Sequence, residues 1–91
     1  MTVLELLADG VLGYTVEEDD ELYIPVIMAV EEGSGDVGRY LDGLPKDRTV
    51  KVPEVASSRL RGMLERRGFN PTSEFAEEFG ETVEVFVRWA A

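Results

Sequence analysis

The chain has 91 residues, 44% of them hydrophobic, and nineteen acidic against nine basic side chains give a formal net charge of -10. At that length one domain, residues 1–91, is expected, with a core that buries a smaller share of its surface than a larger domain's would. The charge opposes a nucleic-acid backbone as partner. Cysteine and histidine are absent, which removes disulfides, thiolate chemistry and the commonest general base, and leaves carboxylates, hydroxyls, tyrosines and arginines for any chemistry. No apolar run approaches the roughly 20 residues that cross a bilayer, and no basic leader precedes the first apolar residues, so a soluble cytoplasmic protein with no membrane partner is expected.

In chain order, TVLELLADG places Thr2 and Glu5 at capping-box spacing, lets Val3, Leu4 and Leu7 share a face, and sets Gly10 to stop the run; a short helix over Thr2–Asp9 is expected. Val11–Glu17 and Glu21–Val30 then read as a hairpin around an acidic EEDDE turn. The nearly continuous apolar run Ile24–Val30 suits a strand covered on both faces. Pro25 lacks an N–H, so it belongs at an unpaired position, at a bulge, or where the strand splays from its neighbour.

Ser34 or Asp36 can cap the next helix, in which Val37, Tyr40, Leu41 and Leu44 fall at i, i+3, i+4 and i+7 before Pro45. Val50 and Val52 alternate with Thr49 and Lys51 as a strand, which Pro53 ends. Strand, helix, strand predicts a parallel right-handed crossover between Ile24–Val30 and Thr49–Val52. A second helix over roughly 56–67 places Ala56, Leu60, Met63 and Leu64 on one face and stops at Gly68. Thr72–Phe79 is expected as the antiparallel partner, with a partial helical turn as the alternative, of a last strand in which Val83, Val85 and Val87 alternate with Glu84, Phe86 and Arg88.

Each local signal admits two readings. Gly33, Gly35 and Gly38 meet the spacing of a dinucleotide fingerprint, with Glu54 as a ribose ligand, but too few elements follow for such a domain, and a plain glycine turn is the simpler reading. Arg59, Arg61, Arg66 and Arg67 on one helix read as an anion site or, more simply, as a solvated face paired with the surplus carboxylates. Tyr14, Tyr23 and Tyr40 are general-acid candidates whose default role is packing with the hydroxyl at the edge. Glu17, Glu18, Asp19 and Asp20 lack the spacing of a cation loop, so no metal is expected. Of Phe86 and Trp89, one should face the helices and the other a second chain.

The segments VLGYTVEEDDELYIPVIMAV and VKVPEVASSRLRGMLERRGFNP resemble the third and fourth strands, and the fifth strand, fourth helix and following turn, of the GNAT acyltransferase family. The resemblance covers roughly 10–88 and is nearest to the second domain of tandem GNAT proteins. It implies an α/β (α+β) fold of half length: a mixed central sheet of about five strands with two or three helices. It also implies acetyl-CoA held on backbone amides, here at Gly33, Ser34, Gly35, Asp36 and Gly38. This chain departs from the family pattern in several places. Val30 stands where the family has Arg or Gln, Glu31 and Glu32 bring negative charge to the phosphate position, and Ser57 and Leu64 replace the family's Asn and its Tyr acid. The acceptor-site walls are missing apart from the expected short helix. The composition, with two lysines, seven arginines and repeated acidic pairs, resembles that of proteins from salt-loving archaea. Two functions follow: an acyl-CoA-binding or N-acetyltransferase-like protein, or a non-catalytic module that dimerises or pairs with a second protein chain.

Overall fold

The structure, a computed structural model, describes residues 3–91. In the first antiparallel set, β1 (Glu5–Ala8), β2 (Val11–Glu18) and β3 (Glu21–Ala29) pair consecutively. A crossover through α1 (Asp36–Asp42) leads to β4 (Thr49–Pro53), which lies parallel to β3. After α2 (Ser58–Glu65) the chain returns as the hairpin β5 (Asn70–Ala76) and β6 (Glu81–Arg88), with β6 inserted beside β4. Among the described residues the result is one α+β layer pair, a six-stranded mixed sheet in the order β1-β2-β3-β4-β6-β5 with two helices.

The N-terminal expectation is corrected. Glu5–Ala8 is a strand, so the sheet has six strands rather than about five. Thr2, the expected cap, lies outside the described residues. Gly10 adopts φ 78°, a left-handed conformation suited to glycine, and turns the chain so that Leu6 pairs with Leu12. Pairing with β2 outweighs the helical preference of Leu and Ala, which is a weak determinant over so few residues.

Pro25 sits where its missing N–H costs least. The β2–β3 register slips between the pairs Tyr14–Val26 and Val16–Tyr23, which puts Pro25 in a bulge. The parallel pairing to β4 covers only Glu21, Leu22 and Tyr23, against Thr49, Val50 and Lys51. It therefore lies before Ile24 rather than along Ile24–Val30. The rest of β3 diverges and is not covered on both faces, since Met28 is 45% exposed, and Val30, just past its end, is 62% exposed.

Both helices pack on one face. Leu22, Ile24, Val50, Val52 and Phe86 from the strands form one buried cluster with Val37 and Leu41 of α1 and Leu64 of α2. Ala56 precedes α2 and is exposed, while Leu60 and Met63 are half-buried. Phe86 is fully buried and faces the helices, whereas Trp89 lies beyond β6 and is exposed. At the start of α2 the Ser57 hydroxyl accepts from the Leu60 amide at 3.2 Å. Ser57→Ala should therefore cost about 1 kcal/mol, read as a lower urea midpoint with an unchanged slope.

The opposite face carries Tyr23 beside its register partner Lys51, and Lys51 beside Val87, with Val85 next along. No helix covers this face among the described residues. A polar network spans it instead: the Lys51 ammonium lies 2.7 Å from Glu74 and 3.2 Å from Glu21, and donates to the Tyr23 hydroxyl at 3.5 Å.

Candidate functional site

The divergence of β3 from β4 opens a groove on the helix side of about 420 Å³. Ile27 and Ala29 line it from β3, Gly33 and Gly35 from the corner after the strand, and Leu60 and Met63 from α2. Gly33 and Gly35 take φ 84° and 83°. These are left-handed conformations that a side chain would strain, so the backbone itself favours glycine here.

Three of the five residues assigned to cofactor binding from sequence meet at this groove: Gly33, Gly35 and Asp36. Ser34 is half-buried and turns inward, its hydroxyl accepting from the Asp36 amide at 3.3 Å. Gly38 is buried within α1, and a side chain there would meet the Arg67 guanidinium rather than the groove. The α1 N-cap is Gly35, with no side-chain cap.

The charge at the groove is mixed. The Asp36 carboxylate is bound by Arg39, one turn along. Arg59 reaches Glu32 at 3.4 Å, and both side chains are well exposed. Two of the other arginines follow the paired reading: Arg61 meets Glu84 at 2.5 Å and Arg67 meets Asp42 at 2.8 Å. The hydrogen bond from Arg61 holds the Glu84 carboxyl below its usual range. Arg61 also stacks 4.8 Å above the Phe86 ring, so its stem closes the core edge.

Proton donors are sparse at this groove. Leu64 is fully buried in the core and has no acidic proton, and Ser57 lines the groove with a hydroxyl that accepts from the Leu60 amide and keeps its own O–H free. Tyr40 is half-buried on α1, and burial pushes its hydroxyl up from the ordinary tyrosine range. Tyr14 and Tyr23 line a different groove, on the helix-free face.

No family model, no curated protein and no solved structure matches the chain.

Sequence reasoning missed the network around Lys51. Burial disfavours the charged ammonium, but hydrogen bonds to Glu74, Glu21 and Tyr23 outweigh it and raise the Lys51 pKa well above the ordinary lysine range. Burial also raises the Tyr23 hydroxyl, against the opposing effect of Lys51. One signal was present, a lysine standing between Val50 and Val52 in a strand with buried neighbours. Its partners Glu21 and Glu74 lie far away in sequence, and only the strand order brings them together.

Proposed function

We propose that the helix-side groove takes an acyl-CoA-type ligand and that the chain is a GNAT-like half-domain without an assigned proton donor. One observation carries the reading: a parallel pair that parts after three rungs, with a glycine corner and the start of α2 facing each other across the gap. A backbone held at positive φ by two glycines allows close approach of a ligand, as phosphate-binding turns require. Arg59 is the cation at the rim, and it reaches a phosphate once it releases Glu32.

Titration calorimetry with acetyl-CoA in high salt tests this. Saturable binding that Gly35→Glu weakens supports the reading, and no heat at millimolar ligand overturns it. Glu32→Gln removes a negative charge and frees Arg59, so it should tighten acetyl-CoA binding. An exposed ion pair is worth about 0–1 kcal/mol, so the gain should be about two- to fivefold. Unchanged or weaker binding in that variant would remove Arg59 from the site.

A second reading, a non-catalytic module that pairs with a protein chain, is favoured by the uncovered sheet face, with Leu6 65% and Met28 45% exposed on it. Light scattering at matched salt would read a self-association, and a strictly monomeric chain would remove the homodimer form of this reading.

A further inference from the structure

The helix-free face holds a second groove, of about 560 Å³, between the bulged part of β3 and the β5–β6 hairpin. Its floor is apolar and aromatic: Tyr14, Tyr23, Pro25, Pro53 and Val83. Carboxylates from three separate places stand along it: Glu18 at the end of β2, Glu54 after β4, and Glu74 with Glu78 on the hairpin. Glu74 is engaged by Lys51, while Glu18, Glu54 and Glu78 have no ion-pair partner among the described residues. No three carboxylates converge closely enough to hold one metal ion, again among the described residues. The negative charge is thus distributed along a trough rather than focused at a point.

We propose that this groove docks an extended, lysine- or arginine-bearing segment of a partner protein. Complementary charge selects the occupant. A second copy of a chain with net charge -10 brings the same sign to an acidic trough, whereas a basic segment gains at each free carboxylate. The floor supplies the rest, because alkyl stems of lysine and arginine lie along proline and valine while a cationic head sits over the Tyr14 ring, the Tyr23 ring being taken by Lys51, whose ammonium lies 5.4 Å from its centroid. Several charges spaced along a chain match Glu18, Glu54 and Glu78, which a single small cation does not. The proposal is independent of acyl-CoA binding, since the two grooves lie on opposite faces of the sheet and share no lining residue.

The test is fluorescence anisotropy with a labelled peptide of alternating lysine and leucine, against its glutamate–leucine counterpart. The lysine peptide should bind saturably and its counterpart should not. The triple variant Glu18→Gln, Glu54→Gln and Glu78→Gln changes only exposed side chains, and should weaken binding roughly tenfold, from three surface charge contacts. The triple variant Asp9→Asn, Asp47→Asn and Glu65→Gln makes the same change in net charge at exposed sites outside the groove. It should stay within about twofold of the parent, because distant surface charges are screened. Tyr14→Leu should weaken binding a few-fold through loss of the ring face. Equal weakening by the two triple variants would reduce the effect to the overall field and overturn the proposal. So would equal binding of the glutamate peptide, or spermidine binding with no binding of the peptide.

Discussion

Gly13→Ala is expected to cost the domain about 3 kcal/mol, the upper end of what overpacking a filled site produces. Gly13 is buried on β2 opposite Ile27. A methyl group there would fall inside the contact radius of the Val26 carbonyl oxygen, 2.9 Å from its carbon and 3.1 Å from the Ile27 Cα. All three are backbone atoms, so no rotamer change relieves the clash and the β2–β3 pair must part. Gly80→Ala is the matched control. It sits at φ 66° with nothing within 4 Å, so it carries conformational strain alone and should cost about 1 kcal/mol. In thermal unfolding the Gly13 variant should fall by roughly 12–24 °C and the Gly80 variant by about 4–8 °C. A Gly13→Ala protein as stable as the Gly80 variant would mean the strands cross less closely than described.

Lys51→Ala is the second large effect, at about 3 kcal/mol. Removing one partner of a buried ion pair leaves the other uncompensated, and here one ammonium serves two carboxylates at 2.7 and 3.2 Å. The cost stays near the lower end of such losses because Glu74 and Glu21 keep about a third of their side-chain surface in water and can rehydrate. Lys51→Met retains the apolar stem and should recover part of the loss, which separates packing from charge.

The pH dependence follows with a definite sign. A lysine whose pKa is raised by folding contributes stability that is complete below its unfolded value of 10.5 and is lost as pH climbs past it. Tyr23, raised from 10.0, works in the same direction: the folded state favours its neutral form, and stability drains as solution pH passes the unfolded value. Wild-type stability should therefore fall above about pH 10 more steeply than that of Lys51→Met, as read from urea midpoints across the alkaline range. Parallel curves for the two proteins would show that the ammonium adds no alkaline sensitivity.

Much of the architecture is legible in the sequence because its punctuation is physical. Gly33 and Gly35, then Pro45, bracket α1. Pro53 ends β4, Ser57 caps α2 and Gly68 closes its last turn, and between these marks the period changes from two to 3.6. Pro25 could be placed at a bulge or a splay from its missing donor alone, and both occur beside it. Glu5–Ala8 was not legible, because four residues of Glu, Leu and Ala carry no period long enough to distinguish helix from strand, and a long-range partner decides. The groove on the helix face could be anticipated in part, through glycines that only a tight corner needs. Gly38 matched the spacing but faces Arg67, away from the groove. The groove on the other face was hidden, because Glu18, Glu54 and Glu78 come from three separate turns and meet only after β6 inserts beside β4.

The short parallel join has a mechanical consequence. The pairs β2–β3 and β5–β6 each run over seven register positions, yet only three residue pairs stitch β3 to β4 across the sheet. A load applied across the strands concentrates on those rungs, and the shared helix-side core must carry what the backbone there does not. The domain has the form of two ribbons clasped at a narrow waist, and a pull across the sheet should part β3 from β4 before it parts β2 from β3 or β5 from β6.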